Sequence, residues 1–276
     1  MKTLKTKNIK LFQSFIWNFY AHFGRDFPWR QTTNPYHILV SEIMLQQTQA
    51  NRVIPKYEAF IKNFPTLEKL ANAEFKTLLY YWQGLGYNRR ALYLQQLAQA
   101  IIKKYHGQVP STQKTLVSLP GIGRYTAAAI QAFAFNQASM VIETNIRTVF
   151  IYHFFPKQKQ VSDQEIITLI NQTVDKKNPR EWYWALMDYG AIMKSLIGNS
   201  SQQSKHYTKQ SKFVGSNRQI RGQIVRLLIA NPMVLEEILQ KIKKPKGQIT
   251  PILDKLVAEK MITIRKGKYQ IVTRLE

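Results

Sequence analysis

The stretch SLPGIGRYTAAAIQAFAF, residues 118–135, holds the turn on which the fold depends. A short helical run ends near Leu119, and Pro120-Gly121-Ile122-Gly123 stops it and turns the chain tightly. A new helix is expected from about Arg124. Backbone N–H groups at Gly121, Gly123 and Arg124 then point outward, which suits a phosphate oxygen. An ordinary corner between two helices uses the same residues, and G-x-G by itself is a weak signal. The charge of the surrounding chain favours the anion-binding reading.

That charge is large. The 276 residues carry a formal net charge of +24, with 40 Lys and Arg against 16 Asp and Glu. Such an excess repels itself, so a polyanion is the expected partner. A membrane surface fits less well, because no basic amphipathic helix stands apart from the periodic segments. No cysteine is present, which removes disulfides, thiolate zinc sites and iron–sulfur clusters together and fits a cytoplasmic chain. Near the N-terminus, Leu11, Phe12, Phe15, Ile16, Phe19 and Phe23 keep helical spacing, while Gln13, Ser14 and Asn18 interrupt them. An amphipathic core helix is expected there, and not a signal peptide. No apolar run approaches the roughly 20 residues that cross a bilayer.

From residue 8 to about 197 the periodicity is helical, notably over 66–79, 89–105 and 163–174. Ser162 and Glu165 have the spacing of a capping box. The first region, 1–197, is therefore expected to be all-α. Residues 198–216 are polar and basic, and no acid occurs between Asp188 and Glu236. This segment is expected to be a linker or extended arm whose Lys205, Lys209 and Lys212 track a phosphate backbone. Residues 217–276 then predict three helices and a hairpin tipped by Lys266-Gly267-Lys268, a small winged-helix-like domain. A helical cap that packs on the first domain or on a partner remains the alternative.

Two acids stand out. Glu42 lies on a stripe with Ile38, Leu45 and Gln49; surrounded by apolar residues, such a carboxyl is raised in pKa and suits proton donation near neutrality. A surface glutamate on an apolar-rich helix is the plainer reading. Glu143 sits in VIETNIRTVF (141–150), where Val141, Ile142, Ile146, Val149 and Phe150 read as core. A carboxylate there is costly unless it is paired or used. A helix-start acid interacting with the macrodipole is one use.

Five segments together resemble the helix-hairpin-helix DNA glycosylases, the HhH-GPD superfamily. They are FPWR (27–30), NPYHILVSEIMLQQTQANRVIPKYEAF (34–60), WQGLGYNRRALYL (82–94), LPGIGRYTAAAI (119–130) and ETNIRTV (143–149). SEIMLQQTQ is most similar to the MutY branch of adenine glycosylases. The resemblance covers about residues 25–190. It implies a DNA N-glycosylase of base excision repair acting on double-stranded DNA as a monomer. Glu42 would protonate the leaving purine, Glu143 would face the cationic sugar, Asn145 would stand beside it, and Tyr125 would line the pocket. Lys at the Tyr125 position forms a Schiff base in strand-cutting relatives; tyrosine cannot, which implies a monofunctional enzyme. Gln47 and the loop bearing Leu85 and Tyr87 would hold the duplex open, with Arg30 and Arg89 as pocket or backbone contacts. The backbone carbonyls of Val117, Leu119 and Ile122 match a Na+ or K+ site at the hairpin.

The chain departs from the family at three points. Glu143 stands where the family has aspartate, and a methylene displaces the carboxylate by roughly an ångström, a shift able to cost about 10²-fold in rate. The cluster cysteines are missing. The tail is not the MutY domain that recognises 8-oxoguanine. The expected target is thus a mispaired adenine, opposite G or 8-oxoguanine. Excision of uracil, thymine, hypoxanthine or a damaged purine, and a non-catalytic DNA-binding protein, are the alternatives.

Overall fold

The structure is a computed structural model and describes residues 3–273. The first two residues of the range 1–197 and the last three of 217–276 lie outside the described residues. The described chain is mainly helical. The helices are α1 (Thr6–Phe23), α2 (Pro35–Leu45), α3 (Ala50–Asn63), α4 (Leu67–Ala71), α5 (Phe75–Trp82), α6 (Arg89–Tyr105) and α7 (Gln113–Val117). They continue as α8 (Arg124–Phe135), α9 (Thr144–Phe154), α10 (Asp163–Thr173), α11 (Pro179–Leu196), α12 (Asn217–Ala230), α13 (Leu235–Ile242) and α14 (Lys246–Ala258). A single antiparallel hairpin follows among the described residues, β1 (Ile262–Arg265) and β2 (Lys268–Ile271), with Ile262 opposite Ile271 and Arg265 opposite Lys268.

The chain forms two compact units. The first comprises Met1–Ile38, Ser111–Ser118 and Ile122–Lys209; the second comprises Leu39–Pro110, Leu119–Gly121 and Gln210–Glu276. This division differs from the boundary expected at 198–216. Residues 217–273 do not stand apart: α12 packs on α5, the Phe75 N–H donates to the Thr273 carbonyl at 3.1 Å, and Arg89 lies 3.9 Å from Glu259.

In the first unit, α9 packs on α11 and α11 on α1. Phe12 meets Phe150, Phe154 and Trp182 edge-on, with ring centroids 5.7, 5.1 and 6.1 Å away. These aromatic contacts anchor the helix bearing the ETNIRTV motif. A Cβ on Gly190 would lie 2.3 Å from the Asn145 carbonyl oxygen, so only glycine lets α11 approach the first turn of α9 this closely. The α1 stripe is only partly used: Phe12 and Ile16 are buried, whereas Leu11, Phe15 and Phe23 stay exposed. The capping box forms, with Ser162 N–H donating to Glu165 at 2.9 Å and Glu165 N–H to Ser162 at 3.3 Å. Its hydrogen bonds hold the Glu165 carboxyl down at about 2.

Residues 200–205 do not form the free linker expected. Asn199 Oδ1 accepts from the backbone and hydroxyl of Ser201, at 3.2 and 2.6 Å. Val161 exchanges backbone hydrogen bonds with Gln203 and Lys205, both at 2.9 Å. Short polar side chains satisfy their own backbone and seat this segment on the first unit. Composition alone misses that.

In the second unit, α4 and α5 replace the single helix expected over 66–79. Gln95 of α6 donates to the carbonyls of Leu70 and Ala73, at 3.2 and 2.7 Å, so the end of α4 is satisfied from outside and the helix stops. Buried Phe60, Phe75, Leu78, Trp82, Leu97 and Ile101 form the core beneath it. The tail has the predicted three helices and hairpin, and Met233 bridges Tyr269 at the hairpin edge.

Candidate active site

The hairpin turn forms where the sequence places it. Gly121 has φ +76, and a Cβ there would lie 2.9 Å from Tyr93 Cβ, so the position demands glycine. Gly123 is different. It is the extended N-cap of α8, with open space around it. Being glycine, this N-cap supplies no capping side chain to the start of α8. Gly121, Gly123 and Arg124 are all exposed, as an anion-binding turn requires. Val117, Leu119 and Ile122 border the same turn. Backbone carbonyls are hard oxygen donors, and their chemistry fits Na+ or K+. No group of acidic or imidazole side chains able to hold a metal occurs among the described residues.

Glu42 is not a surface glutamate. Its residue is 5% exposed, among Ile38, Leu39, Ile43 and Met44 of α2. The stripe ends sooner than expected: α2 stops at Leu45, and Gln49 is the N-cap of α3. The cause is Arg90, which carries no motif signal of its own beside the expected contact Arg89. Arg90 Nη1 donates to the carbonyls of Ile43, Met44 and Gln46, at 2.8, 2.8 and 2.6 Å. Its Nη2 reaches Thr48 Oγ1 and the carbonyls of Leu85 and Gly86, at 3.0, 3.0 and 3.1 Å. One guanidinium thus ties the end of the Glu42 helix to the glycine loop. Burial pulls it down to about 10, still protonated at neutral pH.

That loop settles one choice the sequence left open. Leu85 is 3% exposed and belongs to the core, which removes it as a duplex wedge. Tyr87 is 36% exposed with φ 46, and Gln47 has φ 55. Side chains rarely take positive φ, and both residues stand at turns where the backbone is held there. The tail meets them. Gln210 donates to Tyr87 Oη, and Arg218 Nη1 donates to the same oxygen at 2.5 Å while its guanidinium lies 5.6 Å from the ring centroid. Gln210 also lies 3.5 Å from Gln47 Oε1. Nothing in the sequence signals these contacts, which join residues more than 120 positions apart. Arg89 is half-exposed, with its guanidinium 5.0 Å from the Tyr93 ring.

Arg30 is withdrawn from DNA contact. Its guanidinium forms a fork with Asp188, Nη1 to Oδ2 at 2.7 Å and Nη2 to Oδ1 at 2.9 Å, and its side chain is 7% exposed. Arg25 joins the same carboxylate, which is fully buried. The pairing is structural; a buried carboxylate requires it.

Glu143 is the N-cap of α9. Its Oε1 accepts from the N–H groups of Asn145 and Ile146, at 2.7 and 2.9 Å, and its Oε2 accepts from Asn145 Nδ2 at 3.1 Å. The longer side chain curls back onto its own helix start, the macrodipole use that its position allows. Asn145 Oδ1 in turn accepts from Lys194 Nζ at 2.8 Å. Lys194 lies in α11, outside every motif, and was missed. Burial lowers its pKa and the Glu143 charge raises it. Tyr125 is half-buried in the first turn of α8. Lys205, Lys209 and Lys212 are exposed.

Comparison with known proteins places this geometry in a family. A model of the HhH-GPD superfamily base excision DNA repair protein matches residues 40–174. An adenine DNA glycosylase of Buchnera aphidicola is 37% identical over 188 residues, covering 66% of this chain and 53% of that protein. The human adenine DNA glycosylase is 36% identical over 198 residues, covering 67% of this chain and 36% of that protein. The chain therefore spans about half, or less, of the length of these relatives. Among solved structures, a thermostable thymine-DNA glycosylase superposes with a TM-score of 0.61 at 29% identity, covering 73% of this chain and 97% of that one. Residues 40–174 are thus a domain of the HhH-GPD superfamily of base excision DNA repair proteins, in a chain whose similarity is to adenine DNA glycosylases of the MutY type.

Proposed function

We propose that the chain is a monofunctional DNA glycosylase that hydrolyses the bond between deoxyribose and a flipped-out, mispaired adenine in double-stranded DNA. The observation that carries this is a contrast of environments. Glu42 is buried within α2, away from solvent, and Glu143 is held as an acceptor at a helix start by three N–H donors. Two carboxyl groups kept in such different surroundings divide acid and charge-stabilising roles. Glu42 delivers a proton to the departing base. Glu143 meets the positive charge that develops on the sugar, by electrostatic stabilisation or covalent capture, and water completes the hydrolysis. Tyr125 lines the pocket and offers no amine for strand cleavage. Tyr87 and Gln47 hold the duplex open, and the turn at Gly121, Gly123 and Arg124 seats a backbone phosphate. A monovalent cation on the Val117, Leu119 and Ile122 carbonyls would add positive charge beside that phosphate.

Thymine is the second reading. The thermostable thymine-DNA glycosylase is covered over nearly its whole length, while the adenine-specific relatives are matched over about half or less of theirs. A panel of duplexes bearing A·G, A·8-oxoG, T·G, U·G and hypoxanthine, treated with hot alkali after incubation, separates the readings. We expect cleavage of an adenine duplex, lost in Glu42→Gln. Cleavage at T·G with adenine untouched moves the assignment to thymine. Tight binding with no cleavage of any duplex rejects the enzyme.

A further inference from the structure

We propose that Lys194 is a positioning residue that, through the side chain of Asn145, sets the orientation of the Glu143 carboxylate. The proposal rests on the glycosylase reading for its consequence and on three adjacent groups for its substance. An ammonium donates hydrogen bonds and accepts none. Lys194 Nζ stands 2.8 Å from one end of the Asn145 amide, so that end is fixed as the oxygen. The other end is then the NH2 group, and it faces Glu143 Oε2 at 3.1 Å. An NH2 group aimed at a carboxyl oxygen selects the form that accepts. The Asn145 and Ile146 amides do the same at Oε1. A lysine in α11 therefore decides which way the α9 carboxylate points and keeps it ready as an acceptor.

Gly190, one turn earlier on α11, makes the arrangement possible by letting the helix lie against the Asn145 backbone. The other charges near Glu143 are spoken for. Arg147 on α9 feels the Glu143 charge, but its guanidinium forks onto Asp163 of α10, at 2.8 and 2.7 Å. Lys194 is thus the cation coupled to Glu143 whose hydrogen bond leads to it. Burial disfavours its charge, and the nearby Glu143 carboxylate favours it.

The test has two arms. The first follows the Lys194 amine by NMR as pH rises, in the full chain and in Glu143→Gln. We expect a midpoint below that of an ordinary lysine, falling by about half a pH unit or more when the carboxylate charge is removed. An unchanged midpoint in Glu143→Gln overturns the proposal, whether or not the protein excises any base. The second arm measures single-turnover excision. Lys194→Met is expected to lower the rate about tenfold or more, with duplex affinity unchanged, and to move the acid limb of the pH–rate profile upward. Lys194→Arg, which keeps a donor and the charge, is expected to recover part of the rate. Equal loss in both variants with an unmoved acid limb reduces Lys194 to packing and overturns the proposal. Should Lys194→Met fail to fold, the amine titration decides by itself. A wild type inactive on every duplex removes the glycosylase reading and leaves the coupling to be judged by that titration.

Discussion

Glutamate makes an awkward N-cap, because its longer side chain must curl back to reach amides that aspartate or asparagine reach directly. Glu143 does so, and this is how the chain accommodates the extra methylene that separates it from the family's aspartate. The substitution Glu143→Gln tests what the charge does. Glutamine keeps an acceptor oxygen for the Asn145 and Ile146 amides, loses the charge, and gives up the bond from Asn145 Nδ2, which then faces an NH2 group. We expect a stability loss under about 1 kcal/mol, duplex affinity nearly unchanged, and an excision rate at least about 10²–10³-fold lower. Anisotropy binding and single-turnover excision on the same preparation check this. Normal turnover in the variant would remove Glu143 from the chemistry and leave it a helix cap. Residue type told part of this from the sequence: a carboxylate among apolar neighbours needed a use. It did not reveal that the helix start and Asn145 would share the group, because hydrogen-bond geometry has no signature in spacing.

At the scale of elements, the controlling piece is the guanidinium that joins the end of α2 to the loop after α5. Six oxygens converge on Arg90, and three of them are the Ile43, Met44 and Gln46 carbonyls at the end of α2. Replacing it with methionine keeps most of the volume and removes the guanidinium from the carbonyls at the end of α2, while Leu85 and Gly86 keep bonds from Thr48 and Trp82. A loss of about 2–4 kcal/mol is expected, read as a lower urea midpoint. Lysine should rescue poorly, since one ammonium cannot span the fork. A loss below about 1 kcal/mol would show that water replaces the guanidinium readily. Arg90 was legible in principle. It falls on the stripe of Leu94, Leu97, Ala98 and Ile101, which are all buried, whereas Arg89 does not. The extent of α6 and the starts of α8 and α10 were readable because periodicity coincides there with a glycine or a capping signal. The break between α4 and α5 was not, because Gln95 imposes it from another helix. Arg30 was misread for the same reason: its partner, Asp188, lies 158 residues away.

For the whole molecule the dominant fact is a net charge of +24, and most of its consequences concern association with DNA. Deleting residues 217–276 would confuse two effects, because α12 packs on α5 and the tail belongs to the second unit's core. Charge removal is the sharper experiment. Each lysine neutralising one phosphate steepens the dependence of log binding constant on log salt by about 0.9. Lys209 and Lys212 are exposed and lie in a segment without acids, so Lys209→Gln with Lys212→Gln is expected to flatten the slope by about 1.8. Lys205 is a weaker candidate, since its charge already acts on Glu165. Its replacement should flatten the slope by less than 0.9, roughly, and raise the Glu165 midpoint slightly. The arginines of the tail should contribute less than their number suggests: Arg221 is paired with Glu259, and Arg218 is engaged with Tyr87. Titrating duplex affinity from low to moderate salt for each variant measures every slope independently of catalysis. If the double lysine variant keeps the wild-type slope, the acid-free stretch after Asp188 is not a phosphate-tracking arm, and the excess charge acts through the long-range field of the molecule instead of through these contacts.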